Sequence, residues 1–228
     1  MLFRSTVTKA IDFTESDEIA AVVAFGEQPW GKGLGDVWMG TNEGLCVWDA
    51  DLDVFAEHAH PTHPHGYTEG VTFTPEGDIW NGDAYQLSRW RYSNDGDLSP
   101  GADLFETIPV WPVELEEAIS ITDLDADGTD VWVASGGFGV ARVTAGDTAG
   151  TSVVELFSDP PFATAIRTDG EGGVWIGTPT GLWRWDGAAM ALVTSVPGSV
   201  SALAMDPGRP ALWAALNGAL TRIEGVPE

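Results

Sequence analysis

Five tryptophans of this chain stand in the same local setting, and that recurrence restricts its possible folds more than any other feature. They occur in Val37-Trp38-Met39-Gly40-Thr41, Ile79-Trp80-Asn81-Gly82-Asp83, Val131-Trp132-Val133-Ala134-Ser135, Val174-Trp175-Ile176-Gly177-Thr178 and Leu212-Trp213-Ala214-Ala215-Leu216. Successive tryptophans are 42, 52, 43 and 38 residues apart. A second apolar run follows each one: Leu45–Trp48, Leu87–Trp90, Val140–Val143, Leu182–Trp185 and Leu220–Ile223. A short apolar run and a Gly/Asp/Pro turn come before, as in Val71–Gly77, and most units add a fourth run such as Val153–Phe157. Four short strands repeated in units of about 40–45 residues have the period of a β-propeller blade. Isolated sheets of this size cannot bury both faces, whereas blades packed side by side can.

The spacing therefore predicts an all-β, five-bladed β-propeller of four-stranded antiparallel blades, in one domain covering residues 1–228. The blades are expected at about 18–60, 67–109, 117–157, 162–196 and 199–225. The fifth unit has no fourth run, so the strand-like residues 2–9 are expected to pair with it and close the ring.

Composition narrows the partners. Ten basic residues against 35 acidic ones leave a net charge of −25, and only Lys9 and Lys32 are lysines. Such charge opposes compaction at low ionic strength. In molar salt, where the Debye length is about 3 Å, that cost largely disappears. The dispersed acid predicts an acidic, halophilic protein; adaptation to a basic partner is the other reading of the same charge. Nucleic acid is disfavoured, because no basic cluster is present to meet phosphates. No apolar run is long enough to span a bilayer, and Met1–Thr6 leads into no apolar signal core. The expectation is a cytoplasmic protein with no membrane partner, monomeric or weakly oligomeric. Cys46 is the only cysteine, which excludes an intramolecular disulfide framework.

The repeated Trp-x-Gly-Thr followed by Gly-Leu-x-Arg-Trp, clearest in Trp175–Thr178 and Gly181–Trp185, resembles the propeller repeat of two-component regulator sensors. As a whole the sequence is similar to a small propeller family of halophilic archaea. The resemblance implies the fold and little about activity, and the membrane helix and kinase of those sensors have no counterpart in this sequence.

Alternating strand direction sorts the loops onto two faces of such a disc. One face receives the long connections 57–69 and 110–117 and the turns containing Asp83, Tyr85 and Phe138. All four histidines, His58, His60, His63 and His65, lie in the first connection, where Pro61 and Pro64 restrict the backbone. Imidazoles beside carboxylates suit Zn²⁺, Ni²⁺ or Cu²⁺, although the spacing matches no established ligand motif and also fits a polar loop. Glu18, Glu69 and Glu117 each precede a run read as an inner strand, which would place three carboxylates on one rim. The leading reading is a non-catalytic platform that binds a protein or small-molecule partner on this face. Tyr67, Tyr85, Trp111 and Phe138 supply contact aromatics, with Glu18, Glu69 and Glu117 beside them. The alternative is a metal-dependent hydrolase or lyase at the channel mouth, with the histidines or glutamates holding the metal and Asp83 as the catalytic base. A third reading, an assembly subunit, would show a large apolar surface patch.

Other features read as structural. Asp123-Leu-Asp-Ala-Asp-Gly128 opens like a calcium loop, but Ala134 and Val131 stand where the two known patterns need acids, so a hairpin turn is expected. Gly31–Gly35 and Asp169–Gly173 lead into strands rather than helices, which excludes a phosphate cradle. Arg89, Arg142, Arg184 and Arg222 share one repeat position and are expected to pair with carboxylates between blades. The five tryptophans are expected to fill blade interfaces.

Overall fold

A computed structural model describes residues 22–27, 35–41, 44–49, 54–58, 68–75, 77–83, 86–91, 105–111, 120–206 and 211–224. Every regular element among them is a β-strand. The first sheet is β1 (Val22–Glu27), β2 (Val37–Thr41), β3 (Gly44–Asp49) and β4 (Val54–His58). The second is β5 (Thr68–Phe73), β6 (Asp78–Asp83), β7 (Leu87–Arg91) and β8 (Phe105–Ile108). The third is β9 (Ile121–Asp127), β10 (Asp130–Ser135), β11 (Gly139–Thr144) and β12 (Val153–Phe157). The fourth is β13 (Ala165–Thr168), β14 (Val174–Thr178), β15 (Gly181–Trp185) and β16 (Met190–Pro197). The last is β17 (Val200–Met205), β18 (Ala211–Leu216) and β19 (Ala219–Glu224). All neighbours within a sheet are antiparallel and consecutive in sequence, as propeller blades require.

The all-β propeller fold is thus present, but among the described residues the expected five blades of four strands are not. Among the described residues, four sheets have four strands and the fifth has three, the last unit itself containing three strand-forming runs. Residues 2–9, expected to complete it, lie outside the described residues. The inner strands pack in succession, β1 on β5, β5 on β9, β9 on β13 and β13 on β17. Among the described residues, no comparable packing joins β17 to β1.

Strand alternation explains how the blades adhere. In each second strand the tryptophan points to the following blade and its neighbours point to the preceding one. Trp80 and Leu87 bury against Val131, Val133 and Ala141 of the third blade. Trp132 and Val140 meet Ile166, Val174 and Ile176 of the fourth, and Trp175 and Leu182 meet Val200, Leu203 and Leu212 of the fifth. The glycine two positions after a tryptophan lets the next inner strand approach closely. A Cβ at Gly40 would lie 2.6 Å from the Thr68 carbonyl oxygen, and one at Gly82 2.5 Å from Ile121 Cγ2.

The repeated arginines correct an expectation. They pair within their own blade, because strand register sets Arg89, Arg142, Arg184 and Arg222 directly opposite Trp80, Trp132, Trp175 and Trp213. Each guanidinium lies 4.9–5.9 Å from the centre of its tryptophan ring. Acids at or shortly before the start of the same second strand complete the units, at 2.6 Å for Arg89–Asp78, 3.9 Å for Arg142–Asp130, 3.3 Å for Arg184–Asp169 and 3.5 Å for Arg222–Asp206. Arg89 also reaches outside its blade, donating from Nη1 to the Gly146 carbonyl of the third blade at 2.7 Å.

Candidate functional site

The face bearing the second-to-third strand turns carries the described part of the expected rim. Asp83 ends β6 opposite Thr68 of β5. Its Oδ1 accepts the Gln86 N–H at 2.7 Å, and its own N–H donates to the Gln86 carbonyl at 3.0 Å. Ser135 and Thr178 occupy the same position in later blades. The Ser135 hydroxyl accepts the Gly137 and Phe138 N–H groups, both at 3.3 Å. The Thr178 hydroxyl accepts those of Thr180 and Gly181 at 3.2 and 3.0 Å. Capping the turn is therefore a shared task of this position, and Asp83 performs it as a buried carboxylate.

Glu69, on the adjoining strand, is half-buried. Burial pushes its carboxyl above the ordinary range, and the charge of Asp83 pushes it further. The two carboxylates thus share one small region, where a single proton settles on Glu69 more readily than on an isolated glutamate. Such a pair can hold a cationic group, or donate and accept hydrogen bonds to a polar ligand.

Register also changes which residues are equivalent to Glu69. Val71 pairs with Asn81 as Leu124 pairs with Val133, which makes Thr122 and Thr164 the counterparts of Glu69. Those hydroxyls tie neighbouring blades, Thr122 donating to the Ala163 carbonyl at 2.8 Å and Thr164 to that of Val200. Glu18, Glu69 and Glu117 therefore do not share one repeat position. Glu117 stands well before Thr122 in the chain, and it looked equivalent to Glu69 because both sites read as an acid before an apolar run.

Of the expected aromatics, Trp111 and Phe138 come together with ring centres 5.9 Å apart. Trp111 belongs to the core between the second and third blades. Phe138, half-buried in its turn, rests on it at the surface. Tyr67, Tyr85, Glu18, Glu117, His60, His63 and His65 lie outside the described residues, and His58 is described only for its backbone at the end of β4. Among the described residues no three His, Cys, Asp or Glu side chains group as a metal would need.

A second acidic constellation lies between blades three and four. Asp123 and Asp125, two apart on β9, turn to the same side. Asp123 Oδ2 accepts the Ile166 N–H at 3.0 Å, and Asp125 Oδ2 accepts the Thr168 N–H at 2.7 Å and its hydroxyl at 3.0 Å. The carboxylates thereby act as a surrogate neighbour for the inner edge of β13. Arg167 Nη1 lies 3.1 Å from Asp123 Oδ2. Burial raises both carboxyls above the ordinary range despite the opposing pull of Arg167. Asp127 is raised by burial, then by the charges of Asp169 and Asp130. Only Gly128 and Thr129 of the expected hairpin turn are turn residues; the three aspartates belong to the strand. Their alternation was the overlooked signal, since acids at every second position of a strand face one neighbour.

No protein family and no curated protein matches the chain. Solved structures do. The extracellular domain of a B. thetaiotaomicron protein assigned as a one-component system is 17% identical with a TM-score of 0.67, over 91% of this chain and 28% of that one. The extracellular domain of a hybrid two-component system from the same organism is 16% identical with a TM-score of 0.62, over 89% of this chain and 27% of that one. Catalytically inactive virginiamycin B lyase of Staphylococcus aureus, crystallised with quinupristin, is 16% identical with a TM-score of 0.68, over 92% of this chain and 68% of that one. The chain spans little more than a quarter of the length of those two extracellular domains. At these identities the likeness is one of fold, and it agrees with the sensor-propeller resemblance of the repeats.

Among the described residues, no helix is long and apolar enough to cross a membrane.

Proposed function

We propose that this chain is a non-catalytic binding propeller whose ligand face surrounds Glu69 and Asp83. The observation that carries the reading is that these two carboxylates lie at the end of one blade close enough for the charge of Asp83 to act on Glu69, one buried and one half-buried with a raised carboxyl. A basic group on a protein or small molecule answers that chemistry, and Phe138 offers a supported aromatic surface on the next blade. Propellers host unrelated activities on one scaffold, so the site and not the fold has to carry the claim.

The same pair supports a second reading. Two neighbouring carboxylates, one of them raised by burial and by its neighbour's charge, can divide acid and base roles. Asp83 would then serve as base beside a metal held by His58, His60, His63 and His65, with Glu69 as a nearby carboxylate. Calorimetric titration of the full chain separates the two, using Zn²⁺, Ni²⁺, Cu²⁺ and a short arginine-rich peptide in turn. The binding reading expects saturable heat with the peptide, lost in Asp83→Asn, which keeps the turn acceptor while removing the charge. Saturable heat with a metal alone, and none with the peptide, overturns it in favour of the hydrolase or lyase.

High-salt adaptation and a cytoplasmic setting belong to the same proposal. Their support is the scarcity of lysine and the spread of acid over the whole chain. Melting temperature should rise steeply with KCl up to molar concentration; a salt-independent melt removes this part.

A further inference from the structure

We propose that Asn217 is a site of spontaneous modification, where the nitrogen of Gly218 converts the side-chain amide into aspartyl and isoaspartyl links. The chain contains two Asn-Gly pairs, Asn81-Gly82 and Asn217-Gly218. The chemistry open to both is intramolecular. The glycine nitrogen bonds to Cγ of the asparagine, the Cγ–Nδ2 bond breaks, and Nδ2 leaves as ammonia with the proton of the glycine amide. Water then opens the five-membered imide at one carbonyl or the other, giving aspartate or isoaspartate. Glycine obstructs this ring closure least, because it has no Cβ. The two pairs are thus equal as sequence, and only their surroundings separate them.

Asn81 and Gly82 lie inside β6, paired with Val71 and Gly70 on one side and with Ser88 and Leu87 on the other. The Asn81 side chain is buried, and Gly82 lies hard against Ile121 of the next blade. Ring closure there has to wait until the blade opens. Asn217 and Gly218 instead form the exposed two-residue turn between β18 and β19. Both are left-handed, with φ of 50° and 79°, as in the type I′ hairpin turn that Asn-Gly favours. Leu216 and Ala219 are the last ladder pair, so the Gly218 nitrogen lies outside the ladder. The electrophile is prepared as well. The Ser199 N–H donates to Asn217 Oδ1 at 3.0 Å, where charge collects as nitrogen adds to Cγ, and so plays the part of an oxyanion-hole donor.

The product alters the fifth sheet. Isoaspartate routes the main chain through Cβ and Cγ, which lengthens a turn whose geometry sets the register of β18 and β19. It also takes Oδ1 away from Ser199, whereas aspartate keeps a side-chain acceptor there. The Asn217 N–H, which donates to the Ser199 carbonyl at 2.8 Å, shares the disturbance.

Peptide mapping by mass spectrometry tests the proposal on the full chain, aged in warm, mildly alkaline buffer with molar KCl. In the folded chain Asn217 should lose its amide at least about tenfold faster than Asn81, which reacts only through opening of its blade. In denaturant the two should react at similar rates. The isoaspartyl fraction, isolated by chromatography, should exchange the Ser199 amide hydrogen faster than fresh protein, and fresh Asn217→Asp should not. Equal loss at the two sites in the folded chain, or faster loss at Asn81, overturns the proposal. Unchanged Ser199 exchange in the isoaspartyl fraction overturns its structural consequence.

Discussion

Arg89 and Asp78 form an ion pair at 2.6 Å with both side chains fully buried, although the same pairing in later blades reaches solvent. The difference lies outside the second blade: the chain after β11 passes over the pair, and the Gly146 carbonyl accepts from Arg89. Glu106, 3.6 Å from Arg89, provides the second carboxylate. Removing Asp78 takes away the closest charged acceptor of Arg89 and leaves Glu106 as its remaining carboxylate, so Asp78→Ala should cost about 1.5–3 kcal/mol, the worth of a hydrogen bond to a charged group. The matching Asp130→Ala, in a pair open to solvent, should cost under about 1 kcal/mol. Denaturant titration of both variants in molar KCl checks the contrast; equal losses would show that burial of the first pair is not what matters.

Asp125 holds the inner edge of β13 through the N–H and hydroxyl of Thr168. Bonds to a charged acceptor are worth about 1.5–3 kcal/mol, so Asp125→Ala should destabilise by about that much. It should also raise hydrogen exchange at the Thr168 amide ahead of amides in β14. Unaltered exchange at Thr168 would mean that the carboxylate does not secure this edge.

Asn81 occupies a buried strand position filled by Val133 and Ile176 in later blades, and among the described residues its Oδ1 has no hydrogen-bond partner. A buried acceptor left unsatisfied costs about 1–3 kcal/mol. Asn81→Val should accordingly raise the melting temperature. A lower melt would indicate that shape rather than polarity limits this site.

The raised carboxyls set the direction of pH dependence. Burial places Glu69, Asp123, Asp125 and Asp127 above their ordinary values in the folded chain. Between those raised values and the ordinary ones the folded state binds protons that the unfolded state does not. Stability therefore increases as pH falls through the raised values, and the gain is complete below the ordinary ones. Asp186 has the opposite sign, because the Ala189 and Ala188 N–H groups lower its carboxyl, but its effect falls below pH 3.8. Melts at constant molar salt should consequently shift upward between neutrality and mildly acidic pH, and a downward shift contradicts the assignment.

Neutral variants separate these carboxyls. Asp127→Asn removes a group raised by burial and by its neighbours Asp169 and Asp130, and it should flatten part of that pH dependence while leaving the melt in acid unchanged.

The blade period, the strand runs and the inward tryptophans were legible in the chain itself, because each depends on local alternation and turn chemistry that recur every unit. Pairing partners were not. Arg89 meets Asp78 rather than an acid of the next blade because strand register, a property of the assembled sheet, puts it opposite Trp80. Glu69 and Glu117 look equivalent in a linear reading, yet the register on β6 and β10 makes Thr122 the true counterpart of Glu69. Asp123 and Asp125 read as part of a turn until β13 supplies the amides that they accept from. The difference between Leu182 and Leu220 likewise exists only in three dimensions: their sequence settings match, and among the described residues a following sheet lies against the first and none against the second.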